Sequence, residues 1–285
     1  MPGKLILCAT PIGNLGDISA RVLEALRNAD RIAAEDTRNS RKLLNHFDIH
    51  TPMTSYHEYN KYDKAKVLVA KMLSGQNVAL ITDAGTPAIS DPGEELVKQC
   101  HEAGISVTSL PGPSAFVTAL TISGQATRRF CFEAFLPSEK ADKKERQAIL
   151  SELANETRTI IMYEAPHRLV KTLEELQKVL GNRNISLCRE LTKKHEENFR
   201  TTIEDAIVYY RENEPKGEFV LVIEGKSRQA VKEESVREFL DMTIKEHVEY
   251  YMNQGMDKKE AMKMAAKDRD VGKREIYQAL LDENI

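Results

Sequence analysis

The 285-residue chain is poor in the residues that mark disulfide-stabilised and metal-binding proteins. It has no tryptophan, 6% aromatic residues and only 4 cysteines, which are Cys8, Cys100, Cys131 and Cys188. The cysteines are so widely separated that neither a CxxC pair nor a zinc-finger spacing exists. We therefore expect small core side chains in a reducing cytoplasm, with no disulfide and no metal site.

Long apolar runs are also absent, and none approaches the ~20 residues that cross a bilayer. The N-terminal segment MPGKLILCATPIG contains a short apolar stretch that ends in a turn. This stretch is too short for the hydrophobic part of a signal peptide and predicts a first β-strand instead. The sequence thus favours a cytoplasmic protein that is neither exported nor inserted in a membrane.

The chain has no excess of positive charge, since it contains 41 Lys and Arg residues and 44 Asp and Glu residues. This balance excludes the overall basic field of a general nucleic-acid coat protein, so any contact with RNA must be local. The 41% hydrophobic and 30% charged residues are typical of a globular chain. At about 150 residues per domain, the length predicts roughly two domains.

Several familiar catalytic signatures are missing. The sequence contains no GxxxxGK[ST] phosphate loop, no GxGxxG dinucleotide turn, no HExxH motif and no GxSxG nucleophile elbow. These absences argue against ATP, NAD and zinc chemistry.

Apolar β-branched runs alternate with amphipathic stretches, which is typical of βαβ units. In the first half, strands are predicted at 5–9, 31–34, 78–82 and 107–110, and helices at 19–29, 62–73 and 93–103. In the second half, strands are predicted at 130–136, 158–163, 185–188 and 218–225, and helices at 139–154, 167–180 and 203–213. We expect an α/β domain at 1–115, a second with a mixed sheet at 116–228, and a boundary just beyond the PGPS segment at 111–114.

The last part of the chain has helical periodicity only, at 233–254, 257–269 and 273–281. We expect a helical extension at 232–285 whose last two helices resemble a helix-turn-helix. Residues 257–274 carry seven basic and four acidic side chains. This segment is either a solvated amphipathic surface or a face that binds nucleic acid.

Two Gly/Pro loops directly follow predicted strands, where open α/β sheets bind their ligands. They are ATPIGNLGDIS at 9–19 and TDAGTPAISDPGEE at 82–95. Such loops can present backbone N–H and C=O groups to a polar small molecule at fixed geometry. The second loop could also be a simple connector, but its length favours a binding role.

Ionisable side chains follow three other predicted strands, in AAEDTRNSR at 33–41, YEAPHR at 163–168 and RELTKKHEE at 189–197. In the first segment, Asp36 or Thr37 could cap the following helix, while the arginines could equally hold phosphates. His167 and His195 are more typical of surface or capping residues than of catalysts. Neither has a cysteine or second histidine at ligand spacing, so we expect no metal.

Taken together, six segments resemble one known family: ATPIGNLGDI, TDAGTPAISDPG, LPGPSA, YEAPHR, RELTKKHEE and KGEFVLVIEG. They resemble the ribosomal RNA small subunit methyltransferase I family, which is part of the tetrapyrrole-methylase superfamily. The likeness spans about residues 3–225, and the helical tail is similar to that family's C-terminal extension. The combination of six motifs is far more specific than any one of them.

The resemblance implies a fold and an activity. The fold would be two α/β domains of the tetrapyrrole-methylase type with a cleft between them, plus the helical extension, in a homodimer. The enzyme would use S-adenosylmethionine to methylate the ribose 2′-oxygen of a cytidine in the decoding region of 16S rRNA. Its substrate would be the RNA within an assembled or assembling small ribosomal subunit.

The resemblance also implies which residues bind the methyl donor. By matching motifs, these are Pro11, Asp83, Ala84, Gly85, Thr86, Ile89, Ser114, Ala115, Glu164 and Leu191. A ribose hydroxyl is a weak acid, so its methylation is helped by a base and a nearby cation. From position alone, we expect Asp36 or Glu190 to accept the proton, and Arg38 and Lys193 to hold RNA phosphates or the developing oxyanion.

Two other functions remain open, a tetrapyrrole C-methylase and a non-catalytic, donor-sensing DNA-binding protein. Ring-methylating relatives usually carry a GxGPG-like first loop and a GGDP-like second loop. This chain has TPIGN and AGTP instead, together with few aromatic residues and a basic tail. These departures favour RNA as the acceptor.

Overall fold

The computed structural model describes residues 1–138, 142–231, 239 and 242–282. The first positions of the helix predicted at 139–154 and of the tail helix predicted at 233–254 lie outside these residues. The chain divides into two compact units, each described by itself. Unit 1 contains Met1–Leu153 and Arg158–Glu224, and unit 2 contains Ala154–Thr157 and Gly225–Ile285. No described helix is long and apolar enough to cross a membrane.

The first sheet of unit 1 is parallel throughout, with the strand order β3-β2-β4-β1-β5. Its strands are β1 Lys4–Cys8, β2 Arg31–Ala34, β3 Met53–Ser55, β4 Val78–Ile81 and β5 Ser106–Leu110. The helices that alternate with them are α1 Ala20–Asn28, α2 Thr37–His46, α3 Lys61–Leu73 and α4 Gly93–Glu102. Helices pack on both faces of this sheet, so its central strand β4 is buried along its whole length.

The second sheet of unit 1 is mixed, as predicted, with the order β6-β7-β10-β8-β9. Strands β6 and β7 are parallel, whereas β10 is antiparallel to both β7 and β8. The strands are β6 Phe130–Phe135, β7 Thr159–Glu164, β8 Asn184–Arg189, β9 Glu197–Thr202 and β10 Phe219–Ile223. The helices are α5 Ala115–Ser123, α6 Lys143–Leu153, α7 Leu169–Leu180 and α8 Ile203–Glu212.

Helix α5 connects the two sheets along the chain. It begins directly after the PGPS segment, and its N-cap is Ser114. Its apolar side chains Ala119 and Leu120 are buried against Ile161 of β7 and Val220 of β10. The chain therefore passes from the first sheet to the core of the second within a few residues.

Unit 2 contains three described helices, α9 Ile244–Asn253, α10 Lys258–Asp268 and α11 Lys273–Asp282. A capping box of Thr243 and Glu246 begins α9. The helices share a small apolar core of Val248, Ala261, Ala265, Ile276 and Leu280, among others. The expectation of a helical extension is confirmed for these residues.

The four cysteines are buried, as expected for small core side chains. Burial raises the pKa of the Cys8 thiol to about 12. Each therefore contributes to the core as a small apolar side chain.

Candidate functional site

The two Gly/Pro loops meet at the carboxyl ends of the parallel strands. The Thr10 N–H donates to the Gly85 carbonyl over 2.9 Å, and the Gly85 N–H donates back to the Thr10 carbonyl over 3.1 Å. The Thr10 hydroxyl also donates to the Thr82 carbonyl at 3.2 Å. Gly85 has a φ of +86°, which favours glycine over other residues. The loops after β1 and β4 therefore form one hydrogen-bonded platform.

One aspartate fixes the shape of the second loop. The Asp91 carboxylate accepts hydrogen bonds from the N–H groups of Ala88 at 3.0 Å, Ile89 at 3.1 Å and Gly93 at 2.7 Å. Ala88 and Ser90 have left-handed φ values of 66° and 62°, which side-chain-bearing residues rarely adopt. Such strain persists only where surrounding contacts enforce it and is common at ligand sites. The loop is thus held in one conformation that leaves Ile89 exposed.

A cavity of about 540 Å³ lies within unit 1, lined by this platform and by strand ends of the second sheet. This volume is in the ordinary range for a small-molecule site. The predicted residues that line it are Asp83, Ala84, Gly85, Thr86, Ile89, Ser114, Ala115, Glu164, Glu190, Leu191 and Lys193. Pro11, Asp36 and Arg38 are not among its lining residues, although their neighbours Ile12 and Glu35 are.

The PGPS segment is tied to the second loop, because the Thr86 hydroxyl donates to the Pro113 carbonyl at 3.0 Å. At Gly13 the first loop meets the segment that connects β8 to β9. A Cβ there would lie 2.3 Å from Cγ of Lys193, so a larger residue at this position would displace the Lys193 side chain. Segments that are distant in sequence thus surround one space.

Lys193 is held between two carboxylates, one just after β8 and one just before β10. Its Nζ lies 2.9 Å from Oε1 of Glu190 and 2.8 Å from Oε2 of Glu218. Partial burial raises the pKa of Glu190, but hydrogen bonds from Lys193 and the Glu218 N–H outweigh it and leave that pKa lowered. Burial lowers the pKa of Lys193, but Glu218 and Glu190 leave it raised. Both groups are therefore charged at neutral pH.

Glu164 is almost fully buried, at 2% exposure, and its carboxylate is satisfied inside the protein. It accepts from the Thr172 hydroxyl at 2.5 Å and from the Ala165 N–H at 2.8 Å. It also pairs with Arg168, whose Nε lies 3.2 Å away. These contacts fix the β7 end of the cavity.

Asp36 caps helix α2, as one of the two sequence interpretations predicted. Its carboxylate accepts from the Arg38 N–H at 2.8 Å and pairs with the Arg38 guanidinium at 2.9 Å. The hydrogen bond from the Arg38 side chain lowers the pKa of Asp36 to about 2. The Arg38 side chain itself is 87% exposed.

Several residues that line the cavity have no role in the site predicted from sequence, among them Glu35, Phe135 and Tyr163. Burial raises the pKa of Glu35, and the nearby carboxylates of Asp83 and Asp91 raise it further. The sequence signal for Glu35 was its position at the end of β2, next to Asp36. Strand β6 carries Phe135 to the same end of the second sheet as Tyr163 of β7.

Among the residues that the structure describes, no group of three His, Cys, Asp or Glu side chains is placed to hold a metal ion. His167 and His195 are both exposed.

The fold is similar to that of solved structures. A uroporphyrin-III-C-methyltransferase from Thermus thermophilus aligns with a TM-score of 0.54 and 18% identity over 77% of this chain and 94% of that one. A diphthine synthase aligns with a TM-score of 0.59 and 14% identity over 78% of this chain and 90% of that one. At such identities the likeness concerns the fold alone.

Sequence relatives are much closer. The family profile of tetrapyrrole (corrin/porphyrin) methylases matches residues 4–207. The chain is 47% identical to a ribosomal RNA small subunit methyltransferase I from Synechocystis, covering 98% of both chains. It is 49% identical to the protein of that name from Halalkalibacterium halodurans, over 96% of this chain and 93% of the relative. The chain therefore belongs to the ribosomal RNA small subunit methyltransferase I family, within the tetrapyrrole methylases.

Proposed function

We propose that this protein transfers the methyl group of S-adenosylmethionine to the ribose 2′-oxygen of a cytidine in the decoding region of 16S rRNA. Full-length relatives named for methylation of the small-subunit ribosomal RNA support the substrate class. The observation that carries the proposal is the cavity that the two Gly/Pro loops and the second sheet enclose. The proposal includes a cytoplasmic homodimer that acts on an assembled or assembling small subunit.

The cavity fits the methyl donor in size and in charge. Its lining residues include six acidic side chains and a single basic one, Lys193; the acids are Glu35, Asp83, Asp91, Glu164, Glu190 and Glu218. A surplus of carboxylates favours a positively charged ligand such as a sulfonium. The backbone groups of the loop at 82–86 and the N-terminus of α5 at Ser114 and Ala115 would hold its polar parts, with Ile89 and Leu191 packing against its apolar surface. Pro11 would support the first loop from outside the cavity lining.

S-adenosylmethionine, when bound, supplies an electrophilic methyl group. The protein's own contribution is to align the ribose hydroxyl with that group, and positioning of this kind can contribute ~7–11 kcal/mol. A carboxylate of the site would take the hydroxyl proton, and Lys193 would stabilise negative charge that develops on the oxygen.

Three carboxylates are candidates for the proton acceptor. Asp36 and Glu190 are both paired with a cation and both have a lowered pKa, which makes each a weak base. Glu35 lines the cavity, and no described cation forms an ion pair with it. We assign the proton acceptor to Glu35, with Asp36 and Arg38 fixing the start of α2 beside it.

Unit 2 offers a local basic surface for the RNA backbone. Lys259, Lys263 and Lys267 recur every four residues along α10 and are exposed. None of them forms an ion pair with another described residue, so their charges are available for phosphates. Lys258, Lys273 and Arg274 add to the charge of the same segment.

The deciding experiment is transfer of labelled methyl from S-adenosylmethionine to small ribosomal subunits that lack the modification, followed by nucleoside analysis. We expect the label in 2′-O-methylcytidine. Label in another nucleoside would contradict the assigned acceptor atom or base. No label in RNA despite measurable donor binding would contradict the proposal, and transfer to a free porphyrinoid would then support a tetrapyrrole C-methylase.

A further inference from the structure

A large aromatic ring stands exposed at the cavity. Phe135 lines it and is nevertheless 53% exposed to solvent. It lies beside a series of packed rings, in which Tyr163 contacts both Phe135 at 5.4 Å and Phe132 at 5.0 Å between centroids. Phe132 stacks in turn on Phe116. Phe116, Phe132 and Tyr163 are partly buried. Phe135 is the exposed ring at the cavity end of the series, and Phe130, which contacts Phe116, is the exposed ring at the other end.

A β-bulge in β6 determines the direction in which the Phe135 ring points. Residues three apart in a regular strand point to opposite faces of the sheet. The register of β6 against β7 shifts between Phe132 and Phe135, and Ala134 has a left-handed φ of 50°. Because of this bulge, Phe132 and Phe135 both contact Tyr163 of the neighbouring strand. Bulges commonly redirect a side chain next to an active site.

Two arginines clamp the chain just beyond the ring. The guanidinium of Arg168 donates to the Leu136 carbonyl at 2.7 Å, and that of Arg146 donates to the Pro137 carbonyl at 3.0 Å. Arg168 is paired with Glu164, and Arg146, which is 4% exposed, is paired with Glu175. Phe135 thus follows Ala134, which has a left-handed φ, and precedes two residues whose carbonyls are held by arginines. The position of the Phe135 ring is therefore set before any ligand binds.

We infer that Phe135 stacks on the base of the nucleotide whose ribose is methylated, an inference that rests on the proposed function. The carboxylate-rich cavity repels phosphates, so local affinity for RNA there must come from uncharged contacts. An aromatic face supplies such a contact, since every base has a π-surface to stack on it. The ring's exposure favours the incoming RNA over the donor as its partner, because a macromolecule must approach from solvent whereas the platform loops enclose a small ligand.

The test compares Phe135→Ala, Phe135→Leu and Phe135→Tyr in full-length protein with small ribosomal subunits that lack the modification. Loss of one stacked base corresponds to about a 5- to 160-fold effect. We expect the KM for subunits to rise by that factor in the Ala and Leu variants, with the Kd for S-adenosylmethionine within about twofold of wild type. Phe135→Tyr keeps the π-surface and should restore the KM. The control Phe130→Ala removes a ring from the same strand that does not line the cavity, and should leave the KM unchanged.

The outcomes separate this inference from the proposed function. If wild-type protein does not methylate the subunits, the proposed function fails. If wild type is active and Phe135→Leu has an unchanged KM, the stacking role is wrong. A loss of donor affinity equal to the loss of subunit affinity would also overturn it, because the ring would then belong to the donor site. Should Phe135→Ala fail to fold, Phe135→Leu retains the apolar bulk and decides the question.

Discussion

At the scale of single residues, adjacent carboxylates have opposite properties because their partners differ. Asp36 and Glu35 are neighbours in sequence, yet the first has a pKa lowered to about 2 by Arg38 and the second a pKa raised by burial and by other carboxylates. A carboxylate with a raised pKa is the better proton acceptor near neutral pH. Chemistry that needs a base is therefore expected at Glu35.

Glu35→Gln should lower kcat by about 10²- to 10⁴-fold, the usual contribution of a general base. The amide has nearly the same shape, so donor binding should persist. In wild type, activity should decline on the acid side as Glu35 becomes protonated, at a pH above the ordinary glutamate value of 4.5. A pH series of kcat/KM in single-turnover conditions checks this. The decline of activity at low pH, called the acid limb, should be absent from the residual activity of Glu35→Gln.

The matched controls are Asp36→Asn and Glu190→Gln. Each removes one carboxylate charge of a group that already has a lowered pKa. If either of them abolished the acid limb while Glu35→Gln retained it, the proton acceptor would be that residue instead.

At the scale of elements, a polar network holds the helices of unit 2 together around a buried histidine. His247 of α9 is fully buried and stacks on Phe239, and its Nδ1 accepts from Nε of Arg269 at 3.0 Å. Its Nε2 lies 3.5 Å from Asp268. Burial, followed by the charge of Arg269, lowers the pKa of His247, although Asp268 acts in the opposite direction. The neutral ring is thus the form that fits the fold.

The helices of unit 2 should therefore lose stability in mild acid. The unfolded chain binds a proton at His247 as the pH falls below 6.5, whereas the folded chain binds it only at lower pH. Between these two values each pH unit removes at most about 1.4 kcal/mol of unfolding free energy. Hydrogen exchange of the amides in α9–α11, corrected for intrinsic rates, should show falling protection from pH 7.5 to 5.5.

A substitution of His247 tests whether this residue causes the pH dependence of the stability of unit 2. In His247→Gln the amide oxygen can accept from Arg269 at any pH, so the pH dependence should vanish. His195→Gln changes an exposed histidine and should retain it. An unaltered pH dependence in His247→Gln would assign the effect to other groups.

Most elements of the fold could be predicted from sequence, because apolar periodicity reports burial. Strands β3 and β9 could not. β3 is a short edge strand with one apolar residue, Met53, and β9 is an edge strand whose only apolar side chain is Phe199. These two strands rest mainly on backbone pairing and leave little hydrophobic pattern, in contrast to the edge strands β5 and β6, whose apolar residues identify them in the sequence.

The candidate site was predictable only in part, for a related reason. Gly/Pro content identified the loops at 9–19 and 82–95, but their pairing through Thr10 and Gly85 depends on tertiary contacts. Likewise, the alternation of β6 does not reveal the bulge at Ala134 that turns Phe135 toward the cavity. The local sequence predicts the strands and helices. The direction of the side chains at the site depends on irregular backbone, which the local sequence does not reveal.

At the scale of the whole molecule, the charges are distributed unevenly even though the net charge is only −3. The cavity in unit 1 is dominated by carboxylates, which suits a cationic methyl donor and disfavours phosphates. The exposed lysines of α10 provide positive charge that no described acidic side chain pairs with. In a protein that acts on RNA, we expect affinity for the RNA backbone to depend on the lysines of α10. The reaction itself should depend on the cavity of unit 1.

Replacing Lys259, Lys263 and Lys267 together by Ala should weaken binding to RNA without altering donor affinity. Each phosphate contact contributes about 0.7–0.9 to the slope of log K against log salt, so three lost contacts should reduce its magnitude by about 2 to 3. Binding isotherms between 50 and 200 mM salt, a range over which phosphate contacts change affinity by orders of magnitude, measure this directly. Deletion of 232–285 should reduce the slope at least as much.

The control is a triple alanine variant of Lys98, Lys144 and Lys178, which are exposed lysines of unit 1. It removes the same charge from the protein as a whole, so it separates a docking surface from a general electrostatic effect. Equal slopes in the two triple variants would show that α10 has no special role. A reduced slope confined to the α10 variant, with kcat at saturating subunits unchanged, would mean that unit 2 contributes affinity while the residues of the cavity carry the reaction.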